Sequence, residues 1–332
     1  MNTAFFKEIL SIDSTSGNEP ELRERVAAAL GEFCPDVRVD QAGNLIALWG
    51  SPKVVFCSHL DTVPPYIAPI IKEGIATGRG TCDAKGQWMG MIEACRMLSE
   101  SGQSGFALLL TVCEETGSVG AKGFDLQEYV PEGADVALFV GEPTESRFVS
   151  AAKGTKSFDI VITGKACHSG YPGKGVSAID LFHDFYGWLK SYPFAEDPLM
   201  GATTWNAGRL ESANAKNVLS AKVSFELFFR TTASTDSAIE GIIAAYAAEH
   251  PEFSVTFKGG DTPLEYFVPE GYEGAPVAFG TDAPHLKGFS TKSIYGPGSI
   301  LDAHTDGEKV VLADIEKAVG VYVDFFKKRT SR

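Results

Sequence analysis

Three stretches in the first half of the chain are apolar at nearly every position: Val54-Val55-Phe56-Cys57, Ala107-Leu108-Leu109-Leu110-Thr111-Val112 and Val136-Ala137-Leu138-Phe139-Val140. Runs this short and this continuous read as strands covered on both faces, since a sheet with one wet face would alternate. Between them the period changes. Leu22, Val26, Leu30 and Phe33 recur at helical spacing, with Asn18 placed to cap that helix and Glu21 three residues on to complete a capping box. A further helix is expected after Gly86. Strands alternating with helices predict a three-layer α/β/α domain with a largely parallel sheet.

The pattern shifts near Ser150. From Ser157 to Thr163, Phe158, Ile160 and Ile162 share one face while Asp159 and Val161 take the other. A helix over 177–191 follows, then strands over 203–210 and 218–230, a helix over 236–249 and a strand over 253–258. In the second of those strands Val223, Phe225, Leu227 and Phe229 alternate with Lys222, Ser224 and Glu226. The order β-α-β-β-α-β predicts a ferredoxin-like domain inserted into the first. The expected division is 1–152 with 262–332 for the larger domain and 153–261 for the insert, with a last helix over 312–327.

With 332 residues, two cores are easily accommodated. A net charge of −14 argues against nucleic-acid binding, because no Lys/Arg stripe is available to neutralise phosphates. No apolar run is long enough to span a bilayer, and the first residues lack an export signal, so a cytoplasmic protein with no membrane partner is expected. The six cysteines, Cys34, Cys57, Cys82, Cys95, Cys113 and Cys167, form no close pair. That spacing suits reduced thiols better than a zinc-thiolate site.

The candidate chemistry lies where the apolar strands stop. They run into Ser58-His59-Leu60-Asp61, Cys113-Glu114-Glu115 and Gly141-Glu142. Open α/β sheets gather their sites at the carboxyl ends of strands, so these three ends should converge. Asp83, in the turn Gly78-Arg79-Gly80-Thr81-Cys82-Asp83, and His304, in the loop before the last helix, could join them. Any one of these residues alone reads as a solvated loop side chain. Together they make a carboxylate cluster that would repel itself unless cations neutralise it, and a mixed oxygen and imidazole set suits zinc, with cobalt or manganese also compatible.

The strings His59-Leu60-Asp61-Thr62-Val63-Pro64, Gly78 to Gly86, Glu114-Glu115-Thr116-Gly117, Gly141-Glu142-Pro143-Thr144 and Gly296-Pro297-Gly298-Ser299 ahead of His304 occur in that order. In this the chain resembles the co-catalytic zinc deacylases and exopeptidases, which include acetylornithine deacetylase, succinyl-diaminopimelate desuccinylase, aminoacylase and glutamate carboxypeptidase. The resemblance implies two divalent ions, zinc with cobalt as a substitute. Asp83 would bridge them, His59 and Glu142 would complete one set of ligands, and Glu115 and His304 the other. Asp61 would hold the far nitrogen of His59. Glu114 would be the general base that takes a proton from the attacking water and returns it to the leaving amine. In the insert, which would act as a lid, Ala166-Cys167-His168-Ser169-Gly170-Tyr171-Pro172 resembles the segment whose histidine faces the oxyanion, often across a homodimer formed through that domain. Asn217 and Arg230 match positions that hold the substrate backbone and its carboxylate. The turn Gly280-Thr281-Asp282-Ala283 resembles part of the substrate pocket.

Three features depart from the family pattern: Pro284-His285 after the pocket turn, Gly307 before Glu308, and Ser169-Gly170-Tyr171 before the proline. None removes a ligand; all affect which substrate fits. The reading favoured by the motifs is removal of an acyl group, acetyl above others, from an N-acylated amino acid such as N-acetylornithine or N-acetylcitrulline, a step of arginine biosynthesis. The alternatives are a di- or tripeptide exopeptidase or a desuccinylase on the same site, and, outside enzymes, a catalytically silent metal-binding relative. A nucleotide-binding loop is disfavoured, because Gly78-Arg79-Gly80 does not continue to a full phosphate motif.

Overall fold

A computed structural model describes residues 1–331. The chain divides into two compact units: residues 1–150 with 266–275 and 281–332, and residues 151–265 with 276–280.

The larger unit is built on a six-stranded sheet. Its strands lie in the order Asp36–Val39, Leu45–Trp49, Phe106–Thr111, Val54–His59, Ala137–Val140, Thr291–Ile294. The last four run parallel, and the first two add antiparallel at one edge. The three apolar runs of the sequence are therefore adjacent strands, with Val54–His59 in the middle and every residue of all three buried. The mixed edge was not legible in the sequence. Trp49 is fixed there by stacking on Phe106, ring centroids 4.8 Å apart. Helices Lys85–Glu100 and Leu312–Thr330 belong to the same unit and contribute Trp88, Met91, Tyr322 and Phe326 to its core. The last helix runs three residues beyond the expected end.

The helix of Leu22, Val26 and Leu30 spans Pro20–Gly31, and those three residues are fully buried. The expected capping box does not form. Glu19 occupies the N-cap position without a side-chain cap bond, Pro20 opens the helix, and Asn18 Nδ2 donates to the Asp13 carbonyl. Proline at the first helical position needs no donor partner and has its φ already set, so the helix starts without the box. Phe33 lies past the helix end and is only partly buried.

The smaller unit carries a four-stranded antiparallel sheet in the order Thr204–Glu211, Lys222–Thr231, Gly154–Thr163, Phe253–Gly259. Helices Ala178–Ser191 and Asp236–Glu249 complete the β-α-β-β-α-β order. Phe158, Ile160, Ile162, Val223, Phe225, Leu227 and Phe229 form one buried face, as their alternation demands, and Phe185, Leu189, Ile239 and Ile243 of the helices share that core. Val218 is outside the strand expected to begin there. It bridges to His168, and Leu219 N–H donates to the Cys167 carbonyl, so loop pairing takes precedence over strand extension.

Candidate metal centre and active site

Because Phe106–Thr111, Val54–His59 and Ala137–Val140 are parallel neighbours, their carboxyl ends open on the same edge of the sheet. His59 is the last residue of the central strand and is buried. Its Nδ1 lies 2.9 Å from the Asp61 carbonyl oxygen, which can only accept, so Nδ1 carries the proton and Nε2 faces Asp83 Oδ1 at 3.0 Å. The sequence expectation gave the orienting role to Asp61. Its carboxylate stands 3.5 Å from Nδ1 and has further partners: it accepts Glu114 N–H at 3.0 Å, Glu115 N–H at 3.2 Å and the Ser16 hydroxyl at 2.7 Å. Asp61 thus faces the imidazole with both its carbonyl and its carboxylate, and the same carboxylate holds the Glu114-Glu115 turn.

Asp83 ends a turn in which Gly78 and Gly80 take positive φ of 123° and 82°. At Gly78 a Cβ would meet the backbone of 67–69 at 3.0 Å, so only glycine fits. Glu308 Oε1 accepts Cys82 N–H and Asp83 N–H, each at 3.2 Å, while its Oε2 pairs with Arg79 Nη1 at 2.6 Å, both side chains buried. The Asp83–Ala84 peptide is cis, and the helix begins at Lys85.

Asp83 then presents one oxygen to each of two imidazoles: Oδ1 to His59 at 3.0 Å and Oδ2 to His304 Nε2 at 3.1 Å. His304 also lies 2.9 Å from Glu115 Oε1 and sits at φ +63°, a backbone state uncommon for a side-chain-bearing residue. His59, Asp83 and Glu115 each offer a ligand atom within 4.8 Å of the others. Glu142 is buried beside His59, Asp83 and Glu114. The electrostatics are those of a crowded anionic pocket. Burial pushes the Glu114 and Glu142 carboxyls well above the usual carboxylate range, and neighbouring carboxylates add to it. Burial also opposes charge on Asp83, yet His304 and His59 hold it far down. His304 is raised to about 10 by Asp83 and Glu115, and His59 is raised by Asp61 and Asp83 against its burial. In protein alone, protons supply the positive charge this cluster needs. Divalent cations suit the same donors.

The remaining candidates lie in the smaller unit, apart from Thr281. His168 is exposed; its Nδ1 accepts Gly170 N–H at 3.0 Å. Ser169 N–H donates to the Asn217 carbonyl at 2.9 Å, which places His168 and Asn217 on paired loops. Arg230 lies on the interior strand Lys222–Thr231. A Cβ on Gly280 would stand 4.0 Å from Arg230 Nη1. The guanidinium is half-buried over Phe228, 5.0 Å from the ring centroid, and no carboxylate among the described residues pairs with it. Thr281, assigned to the larger unit, is buried, and its hydroxyl accepts Ala283 N–H at 3.1 Å.

Sequence reasoning missed five supporting residues: Ser16, Glu19, Arg79 and Glu308 as a paired brace for Asp83, and Asp282. Asp282 is buried, accepts the Thr111 hydroxyl, and is raised by burial despite that bond. It sits inside a turn already singled out, but its burial at the end of the Phe106–Thr111 strand has no signature in composition or spacing.

A profile of peptidase family M20/M25/M40 matches residues 55–328, most of the chain. The chain belongs to the peptidase family M20/M25/M40. It is 31% identical over 330 residues to a peptidase M20 domain-containing protein of Schizosaccharomyces pombe, an alignment covering 95% of this chain and 82% of that one. It is 35% identical over 375 residues to a probable carboxypeptidase of Aspergillus flavus, covering 96% and 88%. The crystal structure of a tripeptidase from Staphylococcus aureus superposes with a TM-score of 0.83 at 22% identity, covering 99% of this chain and 98% of that one, which shows a shared fold. This M20-family chain is a metal-dependent hydrolase of amide bonds. Among the described residues no helix is long and apolar enough to cross a membrane.

Proposed function

We propose that this M20-family enzyme is an exopeptidase that removes one terminal residue from short peptides, with His59, Asp83, Glu115, Glu142 and His304 holding two divalent ions of the zinc type. The observation that carries the reading is Asp83 set between two imidazoles, with Glu114 on the adjoining strand end. When bound, the ions supply Lewis acidity that acidifies water and polarises the amide carbonyl. Glu114 takes the proton of the attacking water and delivers it to the leaving amine. Its raised proton affinity, set by burial, suits a group that must serve as base and then as acid. His168 serves as donor to the oxyanion, and Asn217 to the substrate backbone. Arg230 supports recognition of a free carboxylate, since it is a half-buried cation without a carboxylate partner beside the open backbone of Gly280.

The acyl-amino-acid substrate favoured by the motifs gives way to peptides because the relatives carry the names carboxypeptidase and tripeptidase. The deciding experiment is a turnover panel on protein stripped by chelation and reloaded with zinc or cobalt. It compares dipeptides, tripeptides, the same peptides with an amidated C-terminus, N-acetylornithine, N-acetylcitrulline and succinyl-diaminopimelate. Turnover of free-carboxylate peptides, lost on amidation, is expected. Cleavage confined to the acylated amino acids would sink the peptidase reading.

A further inference from the structure

The stretch Ser16-Gly17-Asn18-Glu19 looks in sequence like the start of a helix, and in the structure the N-cap residue Glu19 makes no side-chain cap bond. Glu19 is buried, and its carboxylate points away from its own helix. Oε1 accepts Cys113 N–H at 3.1 Å and the Cys113 thiol at 3.3 Å. Three residues earlier, the Ser16 hydroxyl donates to Asp61 Oδ2 at 2.7 Å, and Asp61 accepts the N–H groups of Glu114 and Glu115. Three successive backbone N–H groups, those of Cys113, Glu114 and Glu115, are thus each taken by a carboxylate. Cys113 itself sits at φ +52°, a conformation that a residue with a Cβ keeps only where its surroundings impose it. The segment is anchored in turn: Ser16 N–H donates to the Thr62 carbonyl at 3.1 Å and Thr62 N–H to the Ser14 carbonyl at 3.0 Å. Gly17, at φ +91° with open space around it, lets the chain reverse between Ser16 and Glu19.

We propose that Ser16 to Glu19 is a splint that sets the direction of the Glu114 side chain, with Glu19 as its principal positioning residue acting through Cys113 N–H. The proposal rests on Glu114 being the general base. It makes the N-terminal segment part of the active-site apparatus although it holds no ligand. Reach, rather than charge, is the property that matters, because the acceptor need only meet an N–H.

Three replacements separate reach from charge. Glu19→Gln keeps an acceptor at full length, Glu19→Asp keeps the charge but withdraws it by one methylene, and Glu19→Ala removes both. In the metal-loaded enzyme, Glu19→Ala and Glu19→Asp should each lower kcat about ten-fold or more with KM within about two-fold and metal content unchanged, while Glu19→Gln stays within about three-fold of wild type. In a Glu114→Gln background, Glu19→Ala should change the residual turnover by less than about two-fold, because two groups acting as one unit are not additive. In metal-free protein, amide exchange over 112–118 should quicken in Glu19→Ala, while that over 85–100 should not.

The proposal is overturned by equal impairment of Glu19→Gln and Glu19→Ala, by an unchanged kcat in Glu19→Ala, by a loss carried in KM, or by losses that multiply in the Glu114→Gln background. Should Glu19→Ala fail to fold, the Gln and Asp variants decide alone. A Glu114→Gln enzyme with intact turnover would refute the role of Glu114, a separate result from any failure of the splint.

Discussion

At the scale of single residues, the candidate site depends on how each carboxylate is employed. Glu114 is raised by burial, whereas Asp83, a few ångströms from both histidines, is driven down. Replacing Glu114 with Gln should keep metal stoichiometry and lower kcat by several orders of magnitude, read by steady-state kinetics beside metal analysis. Arg79 and Glu308 form a buried pair at 2.6 Å whose acid also holds Cys82 and Asp83 N–H groups. Arg79→Met leaves that acid without its counter-charge, so chemical denaturation should show a loss of about 3–5 kcal/mol together with weaker metal retention. Lys85 gives a pH signature. Its buried ammonium donates to the Ile9 and Ile12 carbonyls and is lowered by burial to about 7. Between about 7 and the ordinary lysine value the unfolded chain binds a proton that the folded chain lacks, so stability must rise with pH in that window. Relative to Lys85→Met, wild-type protein should gain stability as pH climbs from about 7 toward 10; a flat difference in melting temperature would contradict it.

At the scale of elements, the sequence is most legible where one physical demand dominates. Val54–His59, Phe106–Thr111 and Ala137–Val140 are buried throughout, and total burial selects apolar residues that show in sequence. The helix Asp236–Glu249 begins and ends where its pattern does. Misreadings arose where two demands compete. Around Asn18 a capping pattern met a proline that starts a helix unaided, and Glu19 was drawn to Cys113 N–H instead. Close approach is the other hidden demand. At Gly86, in the first turn of Lys85–Glu100, a Cβ would lie 2.2 Å from the Thr81 carbonyl oxygen, which is backbone and cannot swing aside. Gly86→Ala should therefore displace the Asp83 turn, costing about 1–3 kcal/mol in unfolding experiments and lowering metal affinity in titration calorimetry.

At the scale of the whole molecule, metal and fold are coupled. The cluster of His59, Asp83, Glu115, Glu142 and His304 draws on the His59, Glu115 and Glu142 strand ends, the Asp83 turn and the His304 loop, so a bound ion stabilises the folded unit that assembles them. Chelation should lower the melting temperature, zinc should restore it, and Asp83→Ala should abolish the zinc-dependent rise. What the sequence alone determined were the elements and the order of the chemistry-bearing strings, because hydrophobic period and strand-end placement are written locally. Tertiary structure alone decided the rest. It set the Asp61 carboxylate against the Glu114-Glu115 turn as well as His59, buried Asp282, and brought Glu308 to Arg79 across more than two hundred residues. Such partners are chosen by which buried donors need an acceptor within about 3 Å, a requirement that exists only after the chain has closed on itself.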